Sequence, residues 1–152
     1  MATTVTAATL TVTISEQYAL NGVDYGNTTS KTFTSNGQVL QRIMNVNTSN
    51  PTVINFGAGD DAGQVVAAEY TYFRITNLDD TNFITLTLYN GADSFFYKLL
   101  AGDSFLLMSN EMDAIASSTT FGAFADITQI KADADTAACD IEVIAVTTGG
   151  ES

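Results

Sequence analysis

The chain has 152 residues, a length that fits one domain able to bury a core without disulfides. Only 14% of its residues are charged, the net charge is −12, and the five basic residues are scattered singly, which argues against binding to nucleic acid or to an anionic membrane surface. It has no histidine and one cysteine, which excludes serine–histidine and cysteine–histidine catalysis, an internal disulfide and a zinc site built from imidazoles or thiolates.

The first nine residues are rich in threonine and alanine and carry no charge. They lack the basic start and the continuous apolar run of a signal peptide, and no apolar run in the chain approaches the ~20 residues of a membrane span. We expect residues 1–9 to form a flexible arm or a strand lent to a neighbouring copy. Thr3, Thr4 and Val5 are therefore candidates for an interface.

Alternating apolar and polar residues predict short strands from residue 10 onwards. The run 10–14 places leucine, valine and isoleucine on one face and threonines on the other. Asn-Gly pairs at 21–22 and 36–37 each separate two extended runs, which is the strongest short signal for a β-hairpin. The second hairpin would pair residues 32–34 with residues 39–46.

The segment 70–107 is the most hydrophobic part of the sequence. A bulge near Glu69 would lead into a strand at 70–76, an Asx-rich turn would follow, and three further strands with tight turns predict an antiparallel meander. Aromatic residues in "YTYF" and "FFY" lie on both faces of their strands, so one face can fill a core while the other must be covered. The interface candidates on this basis are Tyr70, Tyr72 and Phe96, and Tyr89, an aromatic residue beside the polar loop 90–94, is a further candidate.

The remaining chain completes the pattern of an all-β domain. Residues 110–118 are expected to form one helical turn or a loop, and strands resume near 121–125, 127–132 and 139–147. Eight to ten short strands at this spacing predict an antiparallel β-sandwich of the jelly-roll type. We expect a single sandwich domain over residues 10–147 and a disordered tail over residues 148–152.

The titratable residues give little sign of chemistry. Cys139 is next to a carboxylate, which raises the pKa of a thiol, so a small buried side chain is favoured over a nucleophile. Asp60, Asp61, Asp79 and Asp80 are weak candidates for calcium because they lie in flexible turns, although the EF-hand spacing is absent. Solvated turn acids are the favoured interpretation. We predict no metal, no cofactor and no enzymatic activity.

The sequence "YTYFRITNLDDTNFITLTLYNG" followed by "KLLAGDSFLL" resembles virion structural proteins of tailed bacteriophages, especially marine and cyanobacterial phages. The resemblance spans most of residues 14–108, and its motifs are strands and turns without catalytic residues. It implies turn-fixing roles for Arg74, Asn77 and Asp79, with Arg74 pairing with an aspartate of the loop.

The resemblance implies a structural function. We expect a capsid decoration or cement protein that bridges neighbouring shell subunits, contacts the major capsid protein and forms a homo-oligomer, with a trimer as one candidate form. It would be synthesised in the host cytoplasm and lie on the exterior of the capsid or tail, because the acidic charge is repelled by packaged DNA. The alternative is a tail- or fibre-associated module that binds a receptor or a glycan. A glycan hydrolase using paired acids is the least favoured hypothesis.

Overall fold

The computed structural model describes residues 6–35, 37–57, 65–114, 120 and 122–148, with Ser35 described by its backbone alone. These residues form strands, turns and loops, and no helix occurs among them. The predicted all-β class is confirmed, with antiparallel sheets packed as a β-sandwich. The chain divides into two units, Met1–Asn36 and Gly37–Ser152.

The first unit contains one long β-hairpin, residues 8–35, which we call the ribbon. Its strands are β1 (Ala8–Glu16), β2 (Ala19–Leu20), β3 (Val23–Asp24) and β4 (Asn27–Ser35). β1 pairs with β4 and β2 pairs with β3 in one continuous antiparallel register, because Glu16 lies opposite Asn27 and, three residues further along each strand, Ala19 lies opposite Asp24. At a rise of about 3.4 Å per residue, the ribbon is about 40 Å long.

The Asn-Gly pair at positions 21–22 closes the ribbon, as the sequence predicts. Asn21 has a φ of 52° and Gly22 a φ of 80°. A two-residue hairpin turn of type I′ requires this left-handed conformation at both positions, which Asn and Gly adopt at little cost. The backbone N–H of Tyr25 donates to the carbonyl of Tyr18 at 2.7 Å and continues the ladder between the two short strands and the two long ones.

The second unit is a sandwich of two sheets. Its strands are β5 (Val39–Val46), β6 (Thr52–Gly57), β7 (Val65–Val66), β8 (Tyr70–Asn77), β9 (Ile84–Tyr89), β10 (Ser94–Leu99), β11 (Ser104–Leu107), β12 (Glu111–Met112), β13 (Ala125–Asp126), β14 (Gln129–Ala134) and β15 (Cys139–Thr147). One sheet has the strand order β10-β9-β14-β6-β7, and the other has the order β11-β8-β15-β5. Neighbours are antiparallel except β6 and β7. β12 and β13 form a separate short ladder.

Eight strands of the sandwich pair as four nested couples. The first of them, β5, pairs with the last, β15; the next, β6, pairs with β14; β8 pairs with β11; and β9 pairs with β10 as the innermost hairpin. The outer and inner couples alternate between the two sheets. Many of the contacts in this unit therefore join residues that are distant in sequence.

Alternate side chains of each strand fill the space between the sheets. In β9, Ile84, Leu86 and Leu88 are buried, whereas the residues between them are half-buried. This confirms the period-two pattern predicted for the segment. Removing an aliphatic or aromatic side chain of this size from water contributes roughly 1.5–3 kcal/mol. The largest fully buried side chains are Tyr70, Phe73, Ile75, Ile84, Leu86, Leu99, Ile127, Ile130, Ile141, Val46, Val53 and Val143.

A buried amide joins two loops where β8 ends. Asn77 is fully buried, and its Nδ2 donates to the carbonyls of Asn82 at 2.9 Å and Leu100 at 3.2 Å. Its Oδ1 accepts from the backbone N–H of Asp79, whose own Oδ1 accepts from the N–H groups of Thr81 and Asn82. The Asx-rich turn is therefore held by its own side chains, as predicted for Asn77 and Asp79.

The domain boundary and two strand pairings differ from the prediction. The sandwich unit begins at Gly37 instead of residue 10, because β1 to β4 form the separate ribbon. The strands that flank positions 36–37 do not form a hairpin, since β4 pairs with β1 and β5 pairs with β15. The predicted meander is also wrong: β11 crosses to the other sheet and pairs with β8.

Several predictions on terminal and loop segments fall partly outside the described residues. Residues 1–5 of the predicted arm are outside them, and Ala8 already belongs to β1. Residues 149–152 of the predicted tail are also outside. In the interval 110–118, for which a helical turn or a loop is predicted, Glu111 and Met112 form a short strand, and residues 115–119 lie beyond the described part.

Candidate functional site

The two faces of the ribbon differ in chemistry because apolar residues alternate with hydroxyl residues along β1, whereas β4 is polar except for Phe33. On one face Leu10 lies opposite Phe33, and Val12 and Ile14 follow along β1. Lys31 and Thr29 lie opposite Val12 and Ile14, so the apolar face is formed mainly by β1.

Between β1 and β4 the opposite face carries hydroxyl side chains, and two cross-strand pairs, Thr13–Ser30 and Ser15–Thr28, are hydrogen-bonded at 3.0 Å. Nearer the turn, Ala19 and Asp24 lie on this face. The hydroxyl residues of this face are Thr9, Thr11, Thr13, Ser15, Thr28, Ser30, Thr32 and Thr34.

The apolar face continues to the tip of the ribbon. Leu20 lies opposite Val23 beside the turn, and the rings of Tyr18 and Tyr25 are 6.1 Å apart one step further from it. The continuous register places all four on the same side as Ile14. Each of the four is between 49% and 61% exposed. The tip therefore presents a contiguous cluster of large apolar side chains to solvent, which we call the tip cluster.

The ribbon has little internal means of stabilisation. Val12 is its one buried residue among those described, and most of its other side chains are exposed. An isolated two-stranded hairpin is at best marginally stable in water, and contiguous exposed apolar groups mark sites of protein contact. The apolar face and the tip cluster are consequently the strongest candidate for a surface that another protein covers.

The charge of the protein is distributed unevenly between the two units. Glu16, Asp24 and Lys31 are the only charged residues in the first 36 positions, so nearly all of the net charge of −12 belongs to residues 37–152. A nearly neutral ribbon approaches an acidic or a neutral surface with little repulsion. The acidic sandwich favours solubility instead.

Two of the predicted interface residues are buried. Tyr70 is 1% exposed and stacks on Phe56 in the core, with the ring centroids 4.4 Å apart. Tyr72 is 6% exposed. The prediction that both rings face a partner is therefore wrong. A register shift opposite residues 70–72 of β8 brings Tyr70 onto the same side as Phe73, whereas Tyr72 is buried on the side of Arg74. Thr3, Thr4 and Val5 lie outside the described residues.

The other two predicted interface residues lie together. Tyr89 of β9 and Phe96 of β10 occupy the outer face of the larger sheet, and Phe96 is 65% exposed. Their neighbours across the sheet are Gln129, opposite Tyr89, and Lys131, opposite Thr87. These residues, with Asn50 and Ser94, line a depression of about 450 Å³. We call this surface the outer-sheet depression.

Strand β10 is an edge of the larger sheet, and its aromatic residues are exposed on both faces. Phe95 and Tyr97 point toward the space between the sheets, yet both remain more than 40% exposed, and the Tyr97 ring lies 4.9 Å from that of Phe105. The sequence predicts that one face of "FFY" fills the core. The position of β10 at the sheet edge explains why that face is only partly covered.

The structure gives no support to a calcium site at the described candidates. Asp79 uses one carboxylate oxygen to accept bonds from its own turn, and those bonds, first from the N–H of Asn82 and then from that of Thr81, lower the pKa of Asp79. Asp80 accepts from the hydroxyl of Thr81 at 2.9 Å. Within the described ranges, no group of three potential metal ligands occurs. Asp60 and Asp61 lie outside those ranges.

Arg74 pairs with a different partner from the one predicted. Its Nη2 lies 2.5 Å from Oε2 of Glu142 on the neighbouring strand β15, and no aspartate of the loop takes that place. Glu142 also accepts from Nε2 of Gln41 at 3.2 Å. The hydrogen bond from Gln41 and the one from Arg74 lower the pKa of Glu142. This carboxylate is engaged across three strands of the sheet.

Cys139 behaves as the buried residue that the sequence predicts. It is fully buried and unpaired at the start of β15. Burial raises the pKa of its thiol, and the negative charge of Asp79 adds to this effect. The thiol is therefore protonated and unreactive at neutral pH, whereas a nucleophile requires the thiolate.

The tip cluster was missed by sequence reasoning although a signal for it exists. The apolar residues at 10, 12 and 14 and those at 18 and 20 keep the same alternation across the polar residues 16 and 17. Read as one strand with the Asn-Gly turn behind it, this pattern predicts a single long hairpin. The glycine at position 26 interrupts the return strand and obscures the symmetry.

Comparison with known proteins gives no relative for the chain: no family model, no curated protein and no solved structure matches it. The described part of the chain also contains no helix of the length and apolar character needed to cross a membrane.

Proposed function

We propose that the protein is a structural component of a virion that decorates or cements a phage capsid by bridging neighbouring shell subunits. The observation that carries the proposal is the ribbon, which is about 40 Å long and exposes Ile14 and the tip cluster on one face. The sequence resemblance to tailed-phage virion proteins supplies the context. In this proposal the sandwich is the rigid body and the ribbon is the part that a neighbour covers.

The size of the ribbon suits a contact with more than one neighbour. Two strands about 4.8 Å apart and about 40 Å long present about 400 Å² on each face. A standard interface buries about 800 Å² per partner. One face alone is too small for a stable contact, so a neighbour on each face must also contact the sandwich for its interface to reach this size. Two neighbours bound in this way are bridged by the ribbon between them.

The order of the strands supports a jelly roll as the specific form of the sandwich. A jelly roll consists of eight strands in two sheets connected by two Greek keys. Winding one long hairpin of four strand pairs produces this order, and the nested couples of β5 to β15 correspond to such a hairpin. A compact shape of this kind packs readily among repeating neighbours, in the homo-oligomeric form, such as a trimer, that we propose.

The function is tested with two charge-matched variants of the ribbon. Leu20→Asp places a carboxylate in the tip cluster, and Thr11→Asp places one on the opposite face of the ribbon, opposite Thr32. Both variants and the natural chain are incubated with capsids that lack this protein, bound protein is quantified, and the particles are imaged. We expect Leu20→Asp to reduce binding at least tenfold and Thr11→Asp to change it less than threefold.

The expected image shows added density at sites between capsomers for the natural chain. Absence of binding by the natural chain to shells that lack it would exclude the cement function. Equal binding by both variants would exclude the tip cluster as the contact. Light scattering on the free protein measures the oligomer separately, so a failure to assemble is distinguished from a failure to bind shells.

A further inference from the structure

The outer-sheet depression arises from the sizes of the side chains around Thr87. Thr87 is short and lies at the middle of the outer face, between Phe96 on β10 and Lys131 on β14. Tyr89 is the next outward residue along β9. Long side chains around a short one leave a hollow, here about 450 Å³, within the range that small-molecule sites occupy.

Hydrogen bonds hold the rim of the depression on two sides. The hydroxyl of Tyr89 donates to the carbonyl of Gly91 at 2.5 Å, which fixes the ring next to its own turn. Asn90 holds that turn by accepting from the N–H groups of Ala92 and Asp93. On the other side, Nε2 of Gln129 donates to Oδ1 of Asn55 at 2.6 Å. A surface that is ordered before a ligand arrives loses less entropy on binding.

The lining combines two aromatic rings with several hydrogen-bonding groups. Tyr89 and Phe96 supply the rings, Asn50 and Gln129 supply amides, and Lys131 supplies an ammonium group. Thr87 and Ser94 add hydroxyls at the floor and rim. Among the described residues, no carboxylate lines the hollow and Lys131 forms no ion pair. The depression is thus lined mainly by polar groups and is bounded by the exposed ring of Phe96.

We propose that the outer-sheet depression binds carbohydrate. A sugar ring has an apolar C–H face that packs on an aromatic ring and a girdle of hydroxyls that need amide, hydroxyl and ammonium partners. Phe96 offers the ring surface, Tyr89 closes one side, and Gln129 and Lys131 meet the hydroxyls. When the sugar is a uronic acid, its carboxylate pairs with Lys131.

Other ligand classes fit the depression less well. A nucleic acid strand also stacks on aromatic rings, but it needs a groove of several cations, and the protein carries five basic residues against a net charge of −12. An apolar peptide would leave the amide and ammonium groups without partners. A volume of about 450 Å³ accommodates one or two sugar rings, so we expect recognition of a short oligosaccharide.

The site is tested by the binding of the full-length protein to an array of neutral, uronate-containing and sialic-acid-containing oligosaccharides. The strongest array ligand is then titrated calorimetrically against two phenylalanine variants. Phe96→Ala removes the exposed ring over the depression, and Phe95→Ala removes the next residue, which faces the opposite side of β10. We expect Phe96→Ala to weaken binding at least tenfold and Phe95→Ala to change it less than twofold.

Further variants separate this proposal from the cement function. Tyr89→Ala should also weaken binding at least tenfold, and Lys131→Gln should weaken binding of uronate ligands more than binding of neutral ones. Leu20→Asp, which alters the ribbon, should bind oligosaccharide like the natural chain. Circular dichroism checks that each variant is folded. The proposal is overturned if every oligosaccharide binds Phe96→Ala as tightly as the natural chain. It is also overturned if Phe95→Ala weakens binding as much as Phe96→Ala does.

Discussion

The ribbon and the sandwich contain strands with similar alternating sequences, but the apolar side chains of these strands are buried to different extents. In β1, as in β9, apolar residues alternate with threonines. In β9 the apolar side is fully covered by the second sheet, whereas in the ribbon Val12 is buried and Ile14 is largely exposed. The same local pattern therefore predicts a strand in both places without predicting what covers it. Burial depends on whether a second sheet is present.

This difference indicates where each unit obtains its stability. The sandwich has a contiguous core between its two sheets and carries most of the acidic charge. Among the described residues, the ribbon has one buried side chain and neither of its strand edges is paired; it carries three charged residues. The sandwich is stabilised by its own core, and the proposed function assigns the stabilisation of the ribbon to a partner. The predictions below test this difference with matched changes, some between the two units and some within the sandwich.

The largest expected effect is the loss of an aromatic ring from the core. Phe73→Ala removes a fully buried ring that contacts Phe56, and we expect it to lower the free energy of unfolding by about 3–5 kcal/mol. Ile14→Ala, in the exposed part of the ribbon, should change it by less than about 0.5 kcal/mol. Urea denaturation of both variants measures the difference. A comparable loss in Ile14→Ala would contradict the independence of the two units.

A smaller effect is expected from the buried amide of the sandwich. Asn77→Ala leaves the carbonyls of Asn82 and Leu100 and the N–H of Asp79 without their side-chain partner, which should cost about 1–3 kcal/mol. Asn90→Ala removes a similar turn-fixing amide at a more accessible position and should cost about 0.5–1 kcal/mol. Urea midpoints at constant m-value compare them. Equal losses would mean that burial of Asn77 adds nothing.

Two matched glycines test the comparison through the backbone alone. Gly22 in the ribbon and Gly102 in the sandwich have φ values of 80° and 77°, and a Cβ at either would meet nothing within 4 Å. Alanine at each position therefore introduces the same strain, about 1 kcal/mol. We expect Gly102→Ala to lower the unfolding free energy of the sandwich, whereas Gly22→Ala should increase hydrogen exchange in the ribbon and leave that free energy unchanged. A loss of sandwich stability in Gly22→Ala but not in Gly102→Ala would contradict the division of the chain into two units.

Much of the fold follows from local sequence, and what does not follow is the pairing of distant strands. The strands at 84–89 and 139–147 and the Asn-Gly turn at 21–22 are set by alternation and by turn chemistry, which neighbouring residues determine. The couples β5–β15 and β6–β14 join segments about 75 to 100 residues apart, so no local pattern specifies them. The Asn-Gly pair at 36–37 misleads because turn chemistry does not determine which strands pair.

The candidate sites show the same limit at the level of single residues. Tyr89 and Phe96 were predicted to be exposed because they alternate with core residues, and the structure places both at one depression. Tyr70 carries the same signal, but the register shift in β8 turns its ring into the core. A bulge moves a side chain from one face to the other and leaves little trace in the sequence. Arg74 likewise pairs with Glu142 on the neighbouring strand β15 instead of with an aspartate of the adjacent loop.

The smallest expected effect is electrostatic and confined to the sandwich. Hydrogen bonds from Gln41 and Arg74 hold the pKa of Glu142 below its ordinary value of 4.5. The pair therefore stabilises the folded state fully above pH 4.5, and the contribution is lost as the pH falls through the lower pKa of the folded protein. The side chains of Arg74 and Glu142 are 25% and 22% exposed, so the contribution is less than about 1 kcal/mol.

When the pH is lowered from 6 to 3, the urea midpoint of Glu142→Gln should consequently fall less than that of the natural chain. Glu111→Gln, which removes an equal charge from an exposed position on β12, serves as the control and should follow the natural chain. Because the ribbon lies in the other unit, its hydrogen-exchange rates, corrected for the intrinsic effect of pH, should not distinguish Glu142→Gln from the natural chain. If Glu142→Gln and Glu111→Gln respond to acid alike, the general negative charge of the sandwich controls its acid sensitivity, and the pair with Arg74 does not.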